Sequence, residues 1–118
     1  MKKTWKLFSS HLLILLFLLF SQGALAQVQV IQFNAEWNAA NKVEWCTSKK
    51  LSDCEVSFID IGKNTKAQNK YKVVVVPTII ILDDGEEVKR FQADISFKFS
   101  ATREEVQEAI DEIIMNKF

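Results

Sequence analysis

Histidine is almost absent from this chain. The single copy, His11, lies in the N-terminal stretch, so the body of the sequence offers no imidazole for a Ser-His or Cys-His pair. Cysteine is nearly as scarce. Cys46 and Cys54 stand alone, and two thiols without histidine do not make a zinc site. Pro77 is the only proline and glycine occurs three times, with no linker, repeat or low-complexity tract. An excess of positive charge is missing as well, the formal net charge being +0 over 118 residues. These absences exclude hydrolase and metalloenzyme chemistry and remove the electrostatic basis for nucleic-acid binding; no cofactor or metal is expected.

What is present divides the chain in two. Met1-Lys2-Lys3 with Lys6 forms a positive start, Leu12 to Phe20 is uninterrupted apolar sequence, and Ala24-Leu25-Ala26 places small residues where a signal peptidase reads. The apolar run falls short of the roughly 20 residues a spanning helix needs. Residues 1–26 are therefore expected to be a signal peptide cleaved before Gln27, leaving residues 27–118 as one exported domain, periplasmic or secreted, not held at a membrane. The leader takes Lys2, Lys3 and Lys6 with it, leaving twelve basic against fifteen acidic residues. Export would put Cys46 and Cys54 where disulfides persist.

Hydrophobic spacing orders the domain. Gln27 to Phe33 reads as a strand buried on both faces. Asn38 is placed to cap a helix running to about Lys50, with Ala39, Val43, Cys46 and then either Leu51 or the stem of Lys50 on its apolar stripe and Trp45 off it. Glu55 to Ile61 is a second strand, parallel to the first through that crossover. Lys66 to Tyr71 predicts a short helix, Thr78 to Leu82 a third strand, and Asp83-Asp84-Gly85 a hairpin turn into a return strand over Glu86 to Phe91. Phe97 and Phe99 are expected to pin the irregular stretch after it to the core. Thr102-Arg103-Glu104-Glu105 is a capping box, opening a helix with Val106, Ala109, Ile110, Ile113 and Ile114 on one face.

Two motifs carry a resemblance. Phe33-Asn34-Ala35-Glu36-Trp37-Asn38-Ala39-Ala40-Asn41-Lys42 resembles the Phe-Trp-Ala-Glu-Trp-Cys-Gly-Pro-Cys-Lys turn of thioredoxins. Lys70-Tyr71-Lys72-Val73-Val74-Val75-Val76-Pro77-Thr78 is similar to their Lys-Tyr-x-Ile-x-x-Ile-Pro-Thr, and Asp84-Gly85-Glu86 to their Asn-Gly-Glu hairpin. The resemblance spans Val28 to Ile114. It implies an α/β thioredoxin-like fold, β-α-β-α-β-β-α, with a central four-stranded mixed sheet flanked by helices, the minimal form found in glutaredoxins. It also implies a cis bond before Pro77, facing the Trp37–Asn41 turn. Without the front strand and helix of full-length thioredoxins, the second strand is expected at a sheet edge; its acidic residues favour a monomer over an edge-strand dimer.

The departures fall on the chemistry. Asn38 and Asn41 stand where the family has its two cysteines, and Gln32 where it buries a proton-accepting aspartate. Asn34 replaces the family's buried tryptophan. An amide is no nucleophile toward a disulfide, and the degenerate CxxC implies loss of redox activity. The surface that remains is a peptide-binding groove of Trp37, Asn38, Asn41, Val76 and Pro77, in which Val76 would pair with an extended protein or peptide partner. Asn38 and Asn41 either serve that groove or cap the helix. Trp37 and Trp45 are partner anchors or packing residues. Cys46 and Cys54 are free buried thiols, a structural disulfide, or, as the alternative enzymatic reading, a thiol-disulfide oxidoreductase pair.

Overall fold

The computed structural model describes residues 28–48 and 50–118; the expected signal peptide lies outside the described residues. The chain runs from β1 (Val28–Asn34) through a 3₁₀ helix (Glu36–Asn41) and α1 (Glu44–Thr47) to β2 (Glu55–Asp60). Next come α2 (Thr65–Lys70), β3 (Thr78–Asp83), β4 (Glu86–Gln92) and α3 (Arg103–Met115). The four strands form one sheet in the order β2-β1-β3-β4. β1 is parallel to β2 and antiparallel to β3, and β3 is antiparallel to β4.

The two central strands explain the apolar runs. Alternate side chains of a strand point to opposite faces. Val28 and Val30 of β1 join Ile79 and Ile81 of β3 in one core, closed by Val43, Cys46 and Leu51 and by Val106 and Ile110 of α3. Ile31 and Phe33 join Ile80 and Leu82 in the other, closed by Val73 and Val76, with Ala67 and Tyr71 packed alongside. A sheet covered on both faces needs such continuous apolar strands. The outer strand β2 is largely exposed, with Phe58 at 44%. Among the described residues no helix is long and apolar enough to cross a membrane.

Local signals act as their chemistry requires. Asp84 and Gly85 both have positive φ, 52° and 85°, the backbone of a tight two-residue hairpin. Thr102 caps α3, its Oγ1 accepting from the Glu105 N–H at 3.1 Å. Asn64 caps α2 in the same way, its Oδ1 accepting from the Ala67 N–H at 3.0 Å.

One expected element is different. The helix predicted from Asn38 to about Lys50 is broken: the 3₁₀ helix ends at Asn41, Lys42 is extended, and α1 starts afresh at Glu44. The cause is Gln32, buried on β1. Its Oε1 accepts from the Val43 N–H at 2.9 Å and its Nε2 donates to the Val43 carbonyl at 3.1 Å. A continuous helix would need that N–H for Ala39; the Ala39 carbonyl instead accepts from the Lys42 N–H at 3.1 Å, one residue tighter. Of the predicted stripe, Val43, Cys46 and Leu51 are buried and Ala39 is exposed.

Candidate functional site

The site forms where β1 ends. Gln32 and Asn34, two residues apart on the strand, face the same side of the sheet, beneath the 3₁₀ helix. Both are buried, as is Asn38 above them. Buried amides must find partners: Gln32 has the Val43 backbone, and the asparagines find one another. Asn38 Nδ2 donates to Asn34 Oδ1 at 3.0 Å, and Asn34 Nδ2 donates to the Asn38 carbonyl at 3.2 Å. Asn41 Nδ2 donates to Asn38 Oδ1 at 2.7 Å. Asn38 Nδ2 also donates to the Val76 carbonyl at 3.2 Å, crossing from the turn to the proline loop.

This corrects the helix-capping alternative for Asn38. Its side chain caps nothing; the residue forms a non-helical kink within the 3₁₀ segment at φ −113°, ψ 22°, and the capping position falls on Ala35, which has no side-chain bond to offer. Asn38 is 4% exposed, whereas Asn41 lies at the surface. The network is built from neutral amides throughout, so none of its side chains can take up or release a proton as a thiol or carboxyl would.

The Val76–Pro77 peptide bond is cis, and both residues are buried. The Pro77 carbonyl accepts from the Ala93 N–H at 3.0 Å, which ties the chain beyond β4 to the proline loop. Trp37, by contrast, is 68% exposed. Its aromatic neighbour is Phe97, edge-on with ring centroids 5.3 Å apart and an interplanar angle of 76°. Sequence reasoning placed Phe97 in the core with Phe99. Only Phe99 is packed there, against Trp45 at 6.4 Å. Beside this corner a surface hollow of about 500 Å³ runs between Asn41–Trp45 and Ser96–Phe99.

Of the predicted groove residues, Asn38 bonds to Asn41 and to the Val76 carbonyl beside Pro77, while Trp37 meets Phe97; the cysteines lie in the core instead. Cys46 is fully buried in the core under α3 and Cys54 half-buried beside it. Both are free thiols, not at bonding distance, so the structural disulfide is not formed. Burial pushes the Cys46 thiol up to about 12, an effect the nearby Gln32 amide only partly offsets. Burial likewise raises Cys54 to about 11, with the Asp53 carboxylate adding to it. A thiol that resists ionisation is a poor nucleophile. Among the described residues no group of three or more His, Cys, Asp or Glu could hold a metal ion.

Thioredoxins from Mycobacterium bovis and Mycobacterium tuberculosis match the chain at 29% identity over 66 residues, covering 52% of it and 57% of theirs. The X-ray structure of Fasciola hepatica thioredoxin matches 82% of this chain and 89% of its own at 29% identity, with a TM-score of 0.55. The chain is thioredoxin-like. No protein-family model matches it, and it spans little more than half the length of the curated relatives. The fold extends to a more distant mutant thioredoxin from Halobacterium salinarum, with a TM-score of 0.58 at 22% identity over 73% of this chain and 74% of that one. In the turn between β1 and α1 this thioredoxin-like chain carries Asn38-Ala39-Ala40-Asn41, with no cysteine.

Proposed function

We propose that this thioredoxin-like protein is an exported binding module without oxidoreductase activity, whose Trp37–Pro77 surface takes an extended segment of a partner protein. The observation that carries the reading is the Asn34–Asn38–Val76 amide bridge. The turn is tied to the proline loop beside Pro77, yet the side chains that make the tie are neutral amides. Trp37, left 68% exposed on that turn, is the anchor, since tryptophan supplies much contact area at low entropic cost. The partner is a protein or peptide and not nucleic acid, because twelve basic residues against fifteen acidic ones in residues 27–118 give no electrostatic attraction for phosphates.

The test is a titration of the protein with short extended peptides, following the Trp37 indole signal by NMR, beside a disulfide-reduction assay. Peptide-dependent shifts at Trp37 that Trp37→Ala abolishes, with no reductase activity above background, support the reading. Reductase activity that Cys46→Ser or Cys54→Ser removes would overturn it in favour of the enzyme. Cleavage before Gln27 and recovery outside the cytoplasm test the export step.

A further inference from the structure

Between β4 and α3 the chain makes a loop that does more than connect. Its base is fixed at the proline loop, where the Ala93 N–H donates to the Pro77 carbonyl. Its tip is Phe97, set against the Trp37 ring. The loop therefore runs from one wall of the candidate groove to the other.

It is also built to hold that position. Asp94 Oδ1 accepts from the Ser96 N–H at 2.8 Å, the Ser96 hydroxyl at 2.6 Å and the Lys98 N–H at 3.0 Å. The Asp94 N–H donates to the Lys98 carbonyl at 2.9 Å, and the Phe97 N–H to the Asp94 carbonyl at 2.9 Å. Within this closed turn Phe97 has φ +67°, a left-handed backbone that a bulky residue rarely adopts. Strain of this kind persists only where the surroundings impose it. Here it sets a large apolar ring edge-on against the Trp37 ring, while the neighbouring Ile95 is left 92% exposed.

We infer that Phe97 is a built-in occupant of the Trp37 face, held there by a strap across the groove that must lift before a partner's apolar side chain takes its place. This rests on the peptide-binding reading above. Asn38 completes the self-occupied state by holding the Val76 carbonyl. A strap closed in about nine molecules of ten would weaken the apparent affinity about tenfold relative to an open groove.

Phe97→Gly is the decisive variant, because glycine is at ease at this φ and the substitution removes the ring without forcing the loop. The probe is an acetylated and amidated serine–threonine peptide carrying one central leucine, titrated into each form with the Trp37 indole signal as readout. Phe97→Asn, which also tolerates the left-handed backbone, serves as the second variant. The expected result is a shifted Trp37 signal in both variants without peptide, and peptide binding about tenfold tighter than in the parent. Binding unchanged or weaker in both variants overturns the inference, with the groove reading left standing. Failure of the parent and both variants to bind the peptide overturns both.

Discussion

Gln32 illustrates how much a single buried side chain decides here. Its carboxamide carries both an acceptor and a donor, and it uses both on the backbone of one residue, Val43. A leucine of similar size would leave a buried N–H unsatisfied at the join between the 3₁₀ helix and α1. Gln32→Leu is expected to cost about 2–4 kcal/mol in chemical denaturation, while Asn41→Ala, at the exposed end of the amide network, should cost about 1 kcal/mol or less. A reversed order would mean that the turn is held by its outer rim. The same residue bears on chemistry. Putting cysteines back with Asn38→Cys and Asn41→Cys is expected to restore no thiol–disulfide exchange in a reductase assay. The first of those thiols would sit at a site now 4% exposed, over an amide that cannot take its proton. Its thiolate at pH 7 should remain below about 1%. Activity well above background from that variant would show that the scaffold alone suffices.

At the scale of elements, sequence and structure agree wherever the signal is local. α3 is an example: Thr102 and Glu105 are three apart, and the cap is made within that one turn. Thr102→Ala should therefore lower stability by about 1 kcal/mol, read as a lower denaturation midpoint with an unchanged slope. The β3–β4 hairpin was legible for the same reason, Asp84 and Gly85 being residues that accept positive φ. The strands of the two-faced core followed from their apolar runs. The Asn38–Lys50 helix did not, because its break comes from a side chain 11 residues away in sequence, and no window of local pattern contains that bond. The amide network was half legible: Gln32, Asn34, Asn38 and Asn41 could be seen as substitutions, but not that the asparagines bond to each other while Gln32 holds the Val43 backbone. Phe97 and Phe99 show the limit most plainly. Two residues apart in an irregular stretch, they look alike in sequence, and only the Asp94 turn sends one to Trp37 and the other to the core.

At the scale of the whole molecule, both cysteines are tied to the burial that α1, β2 and α3 create together, and this gives the fold an alkaline weakness. In the unfolded chain a thiol ionises near its ordinary value of 9.0, whereas Cys46 in the folded protein ionises only at about 12 and Cys54 at about 11. The native state therefore keeps these protons over a range in which the unfolded state loses them. Their contribution to stability is complete below pH 9 and is lost as the pH rises toward the folded values, at about 1.4 kcal/mol for each unit of separation for the well-buried Cys46 and by much less for the half-exposed, solvent-screened Cys54. Unfolding midpoints measured from pH 7 to 11 should thus hold steady to about pH 9 and then fall. Cys46→Ala should lower stability at pH 7 by opening a cavity in the core, yet flatten the alkaline decline, since the group that titrates is gone. The crossing of the two pH profiles separates the proton effect from the packing effect. Parallel profiles would mean that the thiol at position 46 does not titrate with unfolding. By the same logic, both thiols in the native protein should react with an alkylating reagent far more slowly at pH 8 than a free cysteine does. That slowness is expected to disappear together with the fold, in denaturant.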